Sequence, residues 1–134
     1  MFLPTYNEAE NIKSVVINTK EVLQKIADEW EILVVNDGSK DKTGEIALKL
    51  QKKYPKNIKI VTHNPNRGYG AAFKSGFYTA KYDWITFIDA DGQFDFNDIY
   101  SLRDVQQKTN ADMVIGYYLG RKVSPVRIFG TKLW

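Results

Sequence analysis

Two carboxylates set one residue apart, Asp89 and Asp91, are the residues whose spacing most directly suggests chemistry in this chain. They follow the apolar run Trp84–Ile88 and precede Gly92 and Gln93. A run of that composition predicts a strand buried on both faces, as in parallel sheets. Ligands of α/β proteins bind at the carboxyl ends of such strands. Two carboxylates there either repel each other or share a cation, so we predict a divalent metal ion that holds a diphosphate.

Two other predicted strands also end in polar side chains. The first ends near Pro4 and the second spans Glu31–Asn36. Because parallel strands share an edge at their carboxyl ends, these side chains should meet the acidic pair on one rim: Tyr6, Glu8, Asp37, Ser39, Asp89 and Asp91. Each has a structural alternative, since Asp37, Ser39, Asp41 and Glu8 could serve helix starts and Asp89 a turn. The coincidence of three such strand ends favours a ligand site.

The elements that must position these groups alternate between short apolar strands and amphipathic helices. This alternation predicts a three-layer α/β/α sandwich with a mostly parallel sheet. Small residues at Ala72, Gly76 and Ala80 predict a helix packed closely on that sheet. The predicted elements are a strand ending at Pro4, a helix over Ile12–Ile26 capped by Asn7 with Glu10, strand Glu31–Asn36, a helix from Ile46 to Tyr54, strand Ile58–Thr62, helix Ala71–Lys81, strand Trp84–Ile88, a helix through Ile99, Leu102 and Val105, and strand Ala111–Gly116.

Composition excludes several classes of protein. The 134 residues contain no cysteine and one histidine, His63, which disfavours a disulfide framework and a zinc site and suits a reducing, cytoplasmic compartment. A net charge of +3 is too small to predict a nucleic-acid partner. No run approaches the roughly 20 apolar residues of a membrane span. Residues 1–134 should form a single domain, and its abrupt ends predict a longer protein truncated on both sides.

Two familiar motifs fail on spacing. The run from Asp89 begins like a calcium-binding EF-hand, but its sixth and twelfth positions are Phe94 and Tyr100 instead of Gly and Glu. Gly68 and Gly70 begin a G-x-G-x-x-F pattern that lacks the third glycine and follows the third strand, which disfavours a dinucleotide oxidoreductase. These glycines either let the backbone pass close to a ligand or pack a helix tightly.

Four blocks together resemble the family-2 glycosyltransferases of GT-A fold. The blocks are Pro4-Thr5-Tyr6-Asn7-Glu8, Val35-Asn36-Asp37-Gly38-Ser39, Asn66-Arg67-Gly68-Tyr69-Gly70-Ala71 and Asp89-Ala90-Asp91-Gly92-Gln93. They occur in the family's order over roughly residues 2 to 121. Gln93 and Gly120-Arg121 look most like the dolichyl-phosphate mannosyltransferase branch and its polyprenyl-phosphate relatives. The resemblance implies a Rossmann-like, nucleotide-binding sheet.

The resemblance also implies roles for individual residues. Pro4, Tyr6 and Glu8 would line the nucleoside pocket and Asp37 would hydrogen-bond the base. The turn from Gly68 to Ala71 would pass beside the nucleotide, with Lys74 nearby, and Ala90 would lie against the ribose. Asp89, Asp91 and Gln93 would surround Mg²⁺ or Mn²⁺ on the diphosphate of a GDP- or UDP-linked sugar, with Asp91 and Arg121 taken as catalytic.

On the acceptor side, the resemblance implies inversion by direct displacement onto a polyprenyl phosphate at the cytoplasmic face of a membrane. A phosphate acceptor is already an anion and needs no general base, and the chain has no obvious acidic motif after residue 112. Arg121 and Arg127 would bind a phosphate, although their basic cluster also suits an ordinary amphipathic segment. Two alternatives stay open: transfer to a polysaccharide or other glycan, and a sugar-nucleotide binding module without turnover. A nucleotidyltransferase is disfavoured, because it would want a glycine-rich basic loop after the first strand and Pro4–Glu8 has neither feature.

Overall fold

The computed structural model describes residues 1–116. They fall into a unit that spans Met1–Asn97 and the described part of a second unit that begins at Asp98. In chain order the elements are β1 (Phe2–Thr5), α1 (Ile12–Ile26), β2 (Ile32–Asn36), α2 (Thr43–Lys53), β3 (Ile58–Thr62), α3 (Tyr69–Thr79), a 3-10 turn at Phe96–Asp98 and α4 (Ile99–Thr109).

The three strands form a parallel sheet in the order β1-β2-β3. Leu3 pairs with Val34, and Asn36 at the end of β2 pairs with Thr62 at the end of β3. All residues of β1 and β2 are buried, which explains their near-continuous apolar composition. The predicted parallel α/β architecture is therefore confirmed in this unit, with β3 at the predicted residues.

Helices cover both faces of the sheet. Phe2, Leu33 and Val35 form a buried cluster with Ala72 of α3. Because side chains alternate along a strand, Leu3 and Val34 point to the opposite face, where α2 contacts the sheet and α1 packs on α2. A Cβ built on Gly76 would lie 2.3 Å from the ring of Phe2, so α3 can approach the sheet this closely only with glycine there. This confirms the close packing predicted from the small residues.

The predicted strand Trp84–Ile88 is wrong as a strand buried on both faces. The Phe2 N–H donates a 3.0 Å hydrogen bond to the Thr86 carbonyl, and Phe87 makes a single parallel bridge with Phe2. Trp84 is 72% exposed. Within residues 1–116 this segment pairs with β1 along one edge only, so its apolar side chains have too few neighbours to bury them. It still runs beside β1 and delivers Asp89 to the predicted end of the sheet.

Several boundaries also differ from prediction. No strand forms at residues 111–116, where Met113 and Ile115 are exposed instead of paired. The predicted cap of α1 at Asn7 is wrong, because α1 begins at Ile12 and the Asn7 side chain accepts a hydrogen bond from the Lys40 N–H. Within residues 1–116, no helix is both long and apolar enough to cross a membrane.

Candidate functional site

A pocket of about 460 Å³ lies where β1 and β2 end and α3 begins. This volume is in the range of small-molecule sites. The pocket brings together eight of the individually predicted site residues and Tyr69 of the predicted Gly68 to Ala71 turn, and it adds Thr5, Asn66 and Ala72. Its walls are formed by Pro4, Thr5, Tyr6, Glu8, Asp37, Asn66, Gly68, Tyr69, Ala72, Asp89, Ala90 and Asp91.

Asp37 is the most deeply buried acid of this pocket, with 3% of its surface exposed. Its Oδ1 accepts hydrogen bonds from His63 Nδ1 at 2.6 Å and from the Arg67 N–H at 2.9 Å, and its Oδ2 accepts one from the Gly68 N–H at 2.8 Å. Burial raises the pKa of Asp37, but the hydrogen bonds from Arg67, His63 and Gly68 outweigh burial and hold the pKa below its ordinary value of 3.8. A buried negative charge therefore stands at this end of the pocket at neutral pH.

The loop after β3 is fastened to the end of β2 through the same residue. The Asn66 side-chain amide donates to the Asp37 carbonyl at 2.7 Å. Gly38 has a φ of +70°, and a Cβ there would lie 2.6 Å from the Asn66 backbone nitrogen. Glycine is thus required at this position for both its conformation and its space. The contact fixes Gly68, whose N–H faces the carboxylate.

His63 is a site residue that the sequence alone did not indicate. It is the first residue after β3, it is buried, and its ring joins Asp37 to Ser75 of α3, with Nε2 2.8 Å from Ser75 Oγ. The available signal was strand register, because Asn36 pairs with Thr62 and the next residue of each strand is Asp37 and His63. Register between distant strands is not readable from one sequence.

The acidic pair forms the other end of the pocket. Both carboxylates are half-buried. Tyr69 Oη donates to Asp89 Oδ1 at 3.0 Å, and the Gln93 N–H donates to Asp91 Oδ1 at 2.9 Å. Burial, the hydrogen bond to Asp89 and the charges of Asp89 and Asp91 raise the pKa of Tyr69 to about 12. Among the hydrogen bonds of the described residues, Asp89 and Asp91 each accept one at Oδ1, so the Oδ2 of each could serve as a metal ligand.

These two carboxylates fit Mg²⁺ or Mn²⁺ better than a metal held by the protein alone. No group of three or more His, Cys, Asp or Glu side chains within residues 1–116 is arranged to hold an ion. Mg²⁺ is usually bound by one or two carboxylates together with water and substrate phosphates. The donor set therefore matches an ion that binds with a diphosphate.

The loop that carries Tyr6 and Glu8 is held by side chains near the start of α2. The Glu8 N–H donates to Thr43 Oγ1 at 2.8 Å, the Ala9 N–H to Asp41 Oδ2 at 3.1 Å and the Asn7 N–H to Ser39 Oγ at 3.0 Å. Ser39 therefore lies at the predicted edge of the sheet, beside the loop that carries Tyr6 and Glu8, but it is not among the residues that line the pocket. Its role is to fix the backbone of the loop.

Two predicted residues do not meet the others. Gln93 lines a different groove of about 470 Å³ beside α1, and its role as a third metal ligand stays a prediction. Lys74 is exposed on α3 and does not line the pocket. Arg121 and Arg127 lie outside the described residues.

The fold and the pocket agree with the comparison to known proteins. Residues 1–133 match the family model for glycosyl transferase family 2, and the chain belongs to this family. The mannosyltransferase PcManGT from Pyrobaculum calidifontis, solved in complex with GDP-Man and Mn²⁺, has a TM-score of 0.61 and 25% identity over 75% of this chain and 29% of that chain. The predicted GT-A fold is thus confirmed.

Curated relatives place the chain near the polyprenyl-phosphate branch. The dolichyl-phosphate beta-glucosyltransferase ALG5A of Trichomonas vaginalis is 34% identical over 87% of this chain and 38% of its own length. The undecaprenyl-phosphate 4-deoxy-4-formamido-L-arabinose transferase of Salmonella choleraesuis is 33% identical over 68% of this chain and 28% of its own length. The chain spans about a third of the length of these relatives.

Proposed function

We propose that this protein is an inverting glycosyltransferase that moves a sugar from a nucleotide-diphosphate sugar to a polyprenyl phosphate and uses Mg²⁺ or Mn²⁺. The observation that carries the proposal is one pocket lined both by a buried carboxylate, Asp37, and by a pair of half-buried carboxylates, Asp89 and Asp91. A base with an N–H donor suits the buried carboxylate, and a diphosphate with its metal suits the pair. A GDP- or UDP-linked sugar has both groups.

Different residues of the pocket would bind the base, the ribose and the diphosphate of the donor. Asp37 Oδ2 has one lone pair left after its bond from the Gly68 N–H, so it can accept a further hydrogen bond from a base. Ala90 is buried and small, so it allows a ribose to lie close to the backbone. Tyr69 orients Asp89, and the Gln93 N–H orients Asp91, which leaves both free oxygens available to a metal ion.

The reaction needs stabilisation of the leaving group more than it needs a base. When the bond between sugar and diphosphate breaks, negative charge grows on the diphosphate, and a divalent ion bound there would neutralise it. Asp89 and Asp91 would hold that ion in place. The attacking oxygen of a lipid phosphate is already anionic, so no described side chain has to remove a proton from it.

The acceptor class rests on the relatives and not on the described residues. Both relatives are named for transfer involving a lipid phosphate, dolichyl phosphate in one and undecaprenyl phosphate in the other. We propose Arg121 and Arg127 as phosphate ligands of the acceptor or donor, because guanidinium groups bind phosphate with two parallel hydrogen bonds. The full protein would then work at a membrane surface, on its cytoplasmic side.

Calorimetry with GDP- and UDP-sugars, with and without Mn²⁺, tests the donor site. We expect binding that requires Mn²⁺, and we expect Asp91→Ala to weaken it about 10-fold or more, as for loss of a charged ligand contact. Asp83→Asn removes an exposed carboxylate outside the pocket and should bind like the unsubstituted protein. Binding that is indifferent to chelation and to Asp91→Ala would contradict the metal role.

Transfer of a labelled sugar to dolichyl phosphate or undecaprenyl phosphate tests the acceptor. We expect radioactivity to move into the lipid fraction, with inverted configuration at the anomeric carbon. Transfer to a glycan and to neither lipid would contradict the lipid-phosphate acceptor and indicate a glycan acceptor instead. Tight donor binding without any turnover would instead indicate a sugar-nucleotide binding module.

A further inference from the structure

Asp37, His63 and Ser75 form a hydrogen-bonded chain that runs from the pocket through buried His63 to the partly buried Ser75 of α3. Ser75 Oγ lies 2.8 Å from His63 Nε2, and His63 Nδ1 lies 2.6 Å from Asp37 Oδ1. His63 is buried and does not line the pocket, whereas Asp37 does. The histidine therefore cannot touch a donor in the pocket directly, but it contacts the carboxylate that can.

We propose that His63 is a positioning residue for donor binding, which holds the Asp37 carboxylate so that Oδ2 presents its free lone pair to the base end of the pocket. The inference rests on the proposed function, because it assigns the reading of the nucleotide to this end of the same site. It adds a residue that lies behind the pocket wall.

The hydrogen bonds define the orientation of the carboxylate. Oδ1 accepts from His63 and from the Arg67 N–H, which uses the capacity of that oxygen. Oδ2 accepts only from the Gly68 N–H among the described contacts. Without His63, the carboxylate loses one of the two donors that hold Oδ1 away from the pocket, and rotation about the side chain becomes easier.

The same contacts define the tautomer of the ring. An ionised carboxylate can only accept, so His63 Nδ1 must carry a proton and donate it to Asp37. In the neutral ring Nε2 then accepts from the Ser75 hydroxyl. Ser75 thereby fixes the ring from the far side.

A hydrolytic role for this chain of groups does not fit its surroundings. A serine, a histidine and an aspartate in this order can activate a nucleophile when the serine meets substrate. Ser75 lines neither the pocket at the strand ends nor the groove beside α1. The group that meets the pocket is Asp37, at the opposite end of the chain.

Two amide substitutions of His63 separate the two ring nitrogens. In His63→Asn the amide nitrogen stands near Nδ1 and can still donate to Asp37. In His63→Gln the longer side chain carries its amide nitrogen toward the position of Nε2 and Ser75. Both variants carry an amide group, and they differ in the contact that is kept: the one to Asp37 in His63→Asn and the one to Ser75 in His63→Gln. Ile58→Val, which trims a buried residue at the other end of β3, controls for general loosening of the strand.

The measurement is the dissociation constant of a nucleoside diphosphate and of inorganic diphosphate, each with Mn²⁺, well below the unfolding temperature of each variant. GDP and UDP are both tested, and the tighter one is used. We expect His63→Gln to weaken the nucleoside diphosphate about 10-fold or more, the loss typical of a hydrogen bond to a buried charge. Inorganic diphosphate should bind as before, and His63→Asn should stay within about 3-fold of the unsubstituted protein.

The outcomes distinguish this inference from the proposed function. If the unsubstituted protein binds neither GDP nor UDP, that result contradicts both the proposed function and the inference that rests on it. If it binds one of them and His63→Gln binds equally well, the inference alone is overturned. Equal weakening of both ligands, or weakening that Ile58→Val reproduces, would show a purely structural histidine.

A measurement on the unsubstituted protein covers the case in which the variants do not fold. The ¹⁵N resonances of the single histidine report its tautomer. We expect protonated Nδ1, with a shift on addition of the nucleoside diphosphate and none on addition of inorganic diphosphate. A protonated Nε2 with a bare Nδ1, or a ring insensitive to the nucleotide, would overturn the proposal.

Discussion

Replacing Asp37 with asparagine should destabilise the fold, because three donors converge on this carboxylate. The substitution keeps the shape of the side chain and removes its charge. The amide will turn its oxygen toward the two donors at Oδ1, His63 and the Arg67 N–H, and its NH₂ group toward the Gly68 N–H. Gly68 is partly compensated, since its N–H also lies 3.0 Å from Asn66 Oδ1.

The expected size follows from the change in each hydrogen bond. A hydrogen bond to a charged group contributes about 1 kcal/mol more than a neutral one, so the two bonds at Oδ1 together lose about 2 kcal/mol. The bond from the Gly68 N–H is lost outright but partly compensated by Asn66, which adds about 1 kcal/mol and gives a total of about 3 kcal/mol. For a domain of this size that corresponds to roughly 10 °C in the melting temperature. Urea unfolding followed by tryptophan fluorescence at pH 7 measures the loss, and the exposed-site variant Asp83→Asn should stay within about 0.5 kcal/mol of the unsubstituted protein.

The pH dependence gives a second, independent check. The pKa of folded Asp37 is lowered below 3.8, so the stability that its charge contributes is present above the unfolded pKa and is lost as the pH falls through the folded pKa. The difference between the unsubstituted protein and Asp37→Asn should therefore be constant above about pH 5 and shrink below about pH 4. A difference under about 0.5 kcal/mol at pH 7, or one that does not shrink in acid, would refute this account of the Asp37 site.

Two further substitutions test other contacts of the same unit. The raised pKa of Tyr69 means that its neutral form is favoured in the fold up to about pH 12. A spectrophotometric titration should therefore show one tyrosine that ionises near pH 12, and this step should be missing in Tyr69→Phe. Ionisation of every tyrosine near pH 10 would contradict the contact with Asp89. Gly76→Ala should destabilise the fold by about 2 kcal/mol, because overlap with the ring of Phe2 exceeds the gain in helix propensity. Gly70→Ala is the control on the same helix, because a Cβ at this position has no neighbour within 4 Å, and it should be neutral or slightly stabilising. If Gly76→Ala is as stable as Gly70→Ala, α3 can move away from the sheet and the close packing is not required.

The gathering of the pocket residues was predictable because it depends on strand direction alone. Runs such as Ile32–Asn36 and Ile58–Thr62 read as buried parallel strands, and parallel strands end at one edge. Any side chain that follows such a strand must then lie near that edge. This placed Tyr6, Asp37 and Asp89 together without knowledge of a single contact.

The contacts that orient those side chains were not predictable in the same way. Tyr69 reaches Asp89 across 20 residues and His63 reaches Asp37 across 26 residues. Both depend on the register of β2 against β3 and on where α3 begins, which is two residues earlier than its apolar pattern suggested. The strand prediction for Trp84–Ile88 failed for a related reason, because apolar residues show what a segment can bury and not whether neighbours are present to cover it.

The two ends of the pocket are held with different rigidity, and this bears on what a donor must do on binding. The Asp37 end is fixed by three hydrogen bonds to a buried carboxylate and by a loop that only glycine at position 38 allows. The acidic pair follows a segment attached to β1 by one bridge, and Asp89 has one hydrogen bond from Tyr69. Under the proposed function, a nucleotide base would meet a preformed surface, whereas the diphosphate and its metal would have to fix Asp89 and Asp91 further as they bind. Since ordering consumes binding free energy, affinity should come mainly from the base end, and the metal end should supply interactions that strengthen as charge develops on the leaving group.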